Sequence, residues 1–277
     1  MKAGRAGRAD PSVVILSLRE LRRDLFRMAE YELEDVIGEL CGDADWITPR
    51  FRYRHPVTGY LAGQLSRRTL SVRWNPAFTY PRLERNYDLM LFVATIPEDL
   101  EVVRRFRGWR RRVGTAVCIL REAFEPLYEG FRPYLETLGL FDHVFLTCGG
   151  TENRMESDFG AKTEFLASSV DASGFLARQS GRPRVVDIYG FGRRRPEQHE
   201  AFLELSEHAG WLYLYDTYSV QGTSDYRAHR RALSTLLSRT RFFVVNPAKW
   251  NRPADIGSRL DVSTRYFEGA AGGCVLV

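Results

Sequence analysis

One pattern constrains this chain more than any other: short β-branched or apolar runs alternate with segments of helical periodicity along almost its whole length. A strand covered by helices on both faces carries apolar side chains at nearly every position, so such an alternation implies βαβ units and parallel sheets. Residues 13–16, 45–49, 87–93, 114–120, 143–146 and 163–167 read as strands. Residues 25–40, 98–106, 124–138 and 151–159 read as the helices between them. Residues 50–82, rich in Arg, Gly, Pro and Tyr, read as a long loop or an excursion with short helices.

The pattern lapses at residues 173–183, a Gly, Ser, Arg and Pro stretch with little periodicity, and then starts afresh. Strands are expected at 184–189, 211–215, 242–246 and 274–277, with helices at 196–208 and 225–238 and a short helix start at 265–271. At 277 residues, and with roughly 150 residues per domain, two domains are expected. The division is a loose arm over 1–10, a first α/β domain over 11–172, a linker over 173–183 and a second α/β domain over 184–277.

The net charge of +5 raises nucleic acid as a partner, but only three of the 40 basic residues, Lys2, Lys162 and Lys249, are lysines. The arginines are spread among nearly as many acids, as a GC-rich coding bias would leave them, and no dedicated nucleic-acid surface is expected. Cys41, Cys118, Cys148 and Cys274 lie far apart, which indicates neither a zinc site nor a disulfide framework. His143, His199, His208 and His229 show no metal-ligand spacing. No run of 18 apolar residues occurs, and the start lacks a signal-peptide core, so a cytoplasmic protein without a transmembrane segment is expected.

Two segments carry residue types suited to chemistry. The turn 190–195, Gly-Phe-Gly-Arg-Arg-Arg, stands between an expected strand and an expected helix. Gly190 and Gly192 would let backbone N–H groups approach an anion, the helix N-terminus adds positive potential, and Arg193 and Arg194 offer forked donors to phosphate. The second segment is 265–273, Arg-Tyr-Phe-Glu-Gly-Ala-Ala-Gly-Gly. Here a carboxylate, Glu268, sits in a run of small residues that a ligand could approach, as the acidic residue does that grips ribose in dinucleotide folds. Glu268 as an ordinary helix-start carboxylate is the competing reading.

With this order of elements, the segment Thr264 to Gly273 and the apolar strand behind it resemble the donor-binding domain of GT-B glycosyltransferases, most nearly the CgeB-like, spore-maturation type. The resemblance implies two Rossmann-like domains with parallel sheets and a metal-independent, hexosyl-type transfer. The sugar would pass from a nucleotide diphosphate sugar to a glycan, lipid or protein hydroxyl in the interdomain cleft, with no other cofactor. It implies that Glu268 binds the ribose, that the backbone from Gly269 to Gly272 lies near sugar and phosphates, and that Arg193 or Arg194 offsets the diphosphate charge. Arg265 would hold the turn or the donor, and Glu122 would face the cleft as a base from the first domain. Residues 218–223 follow an expected strand and read either as a plain loop or as a lining of the donor side. The position eight residues before Glu268, a Glu in many retaining members, is Leu260, with Asp261 beside it. A GT-B domain also continues past a strand such as 274–277, so the resemblance is to an incomplete second domain. A relative that binds a nucleotide or a protein without catalysis is the alternative, and an anion- or nucleic-acid-binding protein using its arginines is a third.

Overall fold

The computed structural model describes residues 12–42, 44–51, 78–80, 82–176, 183–216 and 225–277. They form an α/β protein with two all-parallel, Rossmann-like sheets of six and four strands, in two compact units. The first unit comprises Met1–Leu21 and Glu34–Leu166, the second Arg22–Leu33 and Ala167–Val277.

Strand β1 (Val13–Leu16) of the first unit is followed in the chain by a 3₁₀ turn at Leu25–Arg27, which belongs to the second unit, and by helix α1 (Met28–Cys41), whose residues divide between the units at Leu33 and Glu34. Strands β2 (Asp45–Ile47), β3 (Arg50–Phe51) and β4 (Phe78–Thr79) come next, and β3 and β4 pair antiparallel as a small separate ribbon. The loop expected over 50–82 therefore has strand at both ends, while its middle lies outside the described residues. Strand β5 (Tyr87–Ala94), helix α2 (Leu100–Arg105), strand β6 (Val113–Leu120), helix α3 (Tyr128–Leu135), strand β7 (His143–Leu146), helix α4 (Glu152–Phe159) and strand β8 (Thr163–Phe165) complete the unit. The sheet order is β2-β1-β5-β6-β7-β8.

The central strands are apolar because both of their faces are covered. Val14, Met90, Phe92, Ala116, Cys118 and Leu120 are fully buried in one core with Leu100, Val103, Leu135, Leu138 and Met155 from the flanking helices and turns. Asp99, just before α2, accepts the amides of Thr95 (3.0 Å) and Ile96 (3.2 Å), so two donors just past β5 are satisfied where the chain turns.

Within Ala167–Val277, the first element of the second unit is a short helix, α5 (Ala172–Leu176), where the sequence suggests linker. Its Phe175 is 1% exposed and belongs to the core of this unit, which is why the segment is ordered as helix; residues 177–182 lie outside the described residues. Strand β9 (Val186–Phe191), helix α6 (Pro196–Ala209), strand β10 (Tyr213–Asp216), helix α7 (Tyr226–Leu237), strand β11 (Thr240–Val244), helices α8 (Pro253–Ile256) and α9 (Thr264–Ala271), and strand β12 (Val275–Leu276) follow. The sheet order is β10-β9-β11-β12. One face packs Tyr189 and Phe243 against Phe175 and against Leu233 and Leu237 of α7. The other packs Ile188, Tyr213 and Val244 against Phe202 of α6 and Trp211. Among the described residues no helix is long and apolar enough to cross a membrane.

Candidate functional site

The order of the four-stranded sheet places β9 between β10 and β11. The chain leaves β9 toward one edge, then crosses back to the other side, so the loops after β9 and β11 run apart. A crevice outside the carboxyl ends of parallel strands at such a reversal is where open α/β sheets take ligands. Gly190, Gly192, Arg193, Arg194, Arg265 and Glu268 all fall in or beside these strand ends.

Gly190 and Phe191 belong to β9 rather than to the turn, because Gly190 is still paired with Tyr215 and Val244 across the ladder. A Cβ at Gly190 would meet the Tyr213 hydroxyl at 3.3 Å. The turn proper starts at Gly192, whose φ of 90° is one that side-chain-bearing residues rarely adopt. Asp216 at the end of β10 fastens it: its carboxylate accepts the Gly192 amide (3.3 Å) and the Tyr189 hydroxyl (3.1 Å). Burial first, and then the Asp216 charge, push the Tyr189 phenol above its ordinary value, so it stays neutral and donates.

The arginines divide by their neighbours. Arg194 donates to the Asp216 carbonyl (2.9 Å) and lies over the Tyr215 ring (4.8 Å). Arg195 lies over Trp250 (4.9 Å). Arg265 reaches back from α9 to stack on Phe191, 3.7 Å from the ring centroid, and its Nη2 is 3.7 Å from where a Gly192 side chain would begin. Arg193 is exposed to solvent. The turn and α9, which lie far apart in sequence, thus meet through Arg265.

Glu268 is not at a helix start but in the fifth position of α9, 4% exposed. Its carboxylate accepts from Arg230 of α7, and its Oε2 is 3.8 Å from the Arg265 Nε. Arg230 also makes a two-pronged contact with Glu32, at 3.0 and 2.8 Å. Burial works against the Arg230 charge, and the two carboxylates more than offset it, so its pKa is raised overall. The Gly269 and Gly272 positions face the protein itself. A Cβ at Gly269 would lie 2.5 Å from Leu276 and 2.6 Å from Phe243, and one at Gly272 2.7 Å from the Leu237 Cβ. Their lack of side chains lets α9 pack closely on β11, β12 and α7.

Glu122 stands in the first unit, two residues past β6, half-buried, with its amide donating to the Thr95 carbonyl (2.7 Å). It is at the carboxyl end of its own sheet, while the other eight candidates gather in the second unit. Leu260 is 68% exposed, and the Asp261 carbonyl accepts the Ala248 amide (2.9 Å). Residues 218–223 lie outside the described residues. Sequence reading missed Asp216, His229, Arg230 and Glu32. Asp216 ends a strand, so the argument that singled out Glu122 could have found it; nothing in sequence pairs Glu32 with Arg230. Among the described residues no group of three or more His, Cys, Asp or Glu is arranged to hold a metal ion.

His229 is half-buried beside this network, its ring 6.2 Å from that of Phe191. Burial, and then the charges of Arg230 and Arg265, hold its pKa below 6.5, although Glu268 and Asp216 pull the other way. The unfolded chain therefore takes up this proton first as pH falls, and the unit loses stability below about pH 6.5. Urea unfolding midpoints at about pH 7.5 and 5.5 should differ by less in His229→Gln than in the wild type; equal differences would refute the assignment.

Comparison with models of protein families finds none that matches this chain, and comparison with curated proteins finds no match either.

Proposed function

We propose that the second unit binds a nucleotide diphosphate sugar at the carboxyl ends of β9, β10 and β11, and that the chain is a GT-B-type glycosyltransferase transferring that sugar to a hydroxyl. The observation that supports this most is the meeting of Arg265 with Gly192 and Phe191, because it joins the arginine-bearing turn to the helix that holds Glu268. Diphosphate would lie against the Gly192 turn and Arg193, where backbone amides and a guanidinium stabilise anionic oxygens and, in the transfer, the departing diphosphate. Ribose would reach Glu268, whose carboxylate Arg230 and Arg265 orient. Glu122 is the proposed base on the acceptor side.

The test is a thermal-shift panel of UDP-, GDP-, ADP- and dTDP-sugars. A nucleotide at about 100 times its Kd adds about 2.7 kcal/mol to the unfolding free energy. One donor should shift the wild type by several degrees and should shift Arg193→Gln and Glu268→Gln far less. Arg193 is exposed, so its variant keeps the fold and reports on the ligand alone. No shift from any donor would sink the proposal.

The burial of Glu268 in its ion pair favours a second reading, in which Glu268 is structural and the chain binds a nucleotide through its arginines without transfer. It expects a shift that disappears in Arg193→Gln, survives in Glu268→Gln, and is accompanied by no release of sugar from the donor.

A further inference from the structure

A cleft of about 930 Å³ opens in the first unit beside the start of β6, at the end of that sheet opposite Glu122. Arg104, from the last turn of α2, lines it together with Arg107, Arg110 and Arg111 from the short segment that leads from α2 into β6. Its wall includes Phe106 and Trp109, which are nearly buried, so the arginines stand on a firm apolar base.

The four cations are not equivalent. Arg104 is held by the Pro133 carbonyl (2.9 Å), and Arg110 by both oxygens of Asp142 (2.7 and 2.8 Å) and by the Val113 carbonyl (2.8 Å). The Arg107 and Arg111 side chains are exposed and have no hydrogen-bond or ion-pair partner among the described residues. Glu136 is the one carboxylate among the lining residues. A second, independent observation comes from Thr137, which lines the same cleft at 4% exposure. Its hydroxyl is buried and has no hydrogen-bond partner among the described residues. A buried hydroxyl left unmatched costs about 1–3 kcal/mol unless something else satisfies it.

We propose that this cleft is a binding site for a compact, multiply phosphorylated small molecule, gripped by Arg107 and Arg111 and seated on the Thr137 hydroxyl. Guanidinium forks match phosphate oxygens two at a time, and an uncompensated pair of them calls for more than one anionic group. The volume is that of a small-molecule site, and a concave pocket with an apolar wall suits a compact ligand better than a strand of nucleic acid, which needs a basic track along a surface.

Inorganic tripolyphosphate, titrated calorimetrically into the full chain at low salt, is the probe. Arg107→Gln/Arg111→Gln should weaken binding at least tenfold, and Thr137→Val about threefold. Repeating the titrations with Arg193→Gln, which removes the phosphate contact proposed for the second unit, should leave the same loss of at least tenfold for Arg107→Gln/Arg111→Gln, so the result is read separately from the nucleotide-sugar proposal. Equal affinity in the wild type and the double variant, or no binding to the wild type at millimolar probe, would overturn the assignment. A single-stranded oligonucleotide that binds more tightly than tripolyphosphate, and is lost in the same double variant, would overturn the small-molecule ligand in favour of nucleic acid.

Discussion

Arg230→Met is expected to destabilise the second unit by about 3–5 kcal/mol, the usual result of removing one partner from a buried ion pair. The Arg230 side chain is 8% exposed and stands between Glu32 at 14% and Glu268 at 5%. Removing it leaves two poorly hydrated carboxylates facing each other without a cation. The loss should appear in amide-exchange protection of β9 and β11, which report the opening of this unit rather than of the whole chain. Replacing all three groups together, with Glu32→Leu and Glu268→Leu added, should restore most of the loss, because an apolar trio leaves no charge to desolvate. A loss below about 1 kcal/mol for Arg230→Met would mean that the network is hydrated in solution and does not hold α7 and α9 together.

Gly269→Val should cost the second unit about 3 kcal/mol, at the upper end for overpacking a close-fitted contact. The first added carbon would lie 2.5 Å from Leu276 and 2.6 Å from Phe243, and Phe243 is fully buried in the middle of the core. The two further methyl groups of valine have no space, and a β-branched residue loses rotamer freedom in a helix. Gly269→Ala should lose less, since alanine regains up to about 1 kcal/mol of helix propensity. Both appear as a lower urea midpoint with an unchanged slope. Leu276→Ala should recover part of the Gly269→Ala loss, a coupling that a double-mutant cycle measures. Full stability in Gly269→Ala, with donor binding lost, would return this glycine to the role of a ligand-facing residue.

The strands were legible because parallel sheets covered on both faces need continuous apolar runs, and 87–93, 114–120 and 143–146 are such runs. Helix ends were less so. Asp225 is readable as a cap and does accept the Ala228 amide (2.8 Å), but residues 98–106 and 124–138 begin as 3₁₀ turns that periodicity does not distinguish from α-helix. Composition suggests linker over 173–183, but it does not register a single anchoring contact such as that of Phe175, which finds a core to enter.

What the sequence determined by itself is the class: two α/β units with parallel sheets, a Gly-Arg turn after one strand and an acidic residue in a small-residue helix. These are local properties, set by periodicity and by what each residue type permits its own backbone. Only the tertiary structure decided what those residues face. It turned Gly269 and Gly272 toward Phe243, Leu276 and Leu237, it brought Arg265 onto Gly192 and Phe191, and it set Glu32 against Arg230 across 198 positions of chain. Side-chain partners that distant depend on strand order and on the close approach of packed helices, and neither leaves a periodic trace in the sequence.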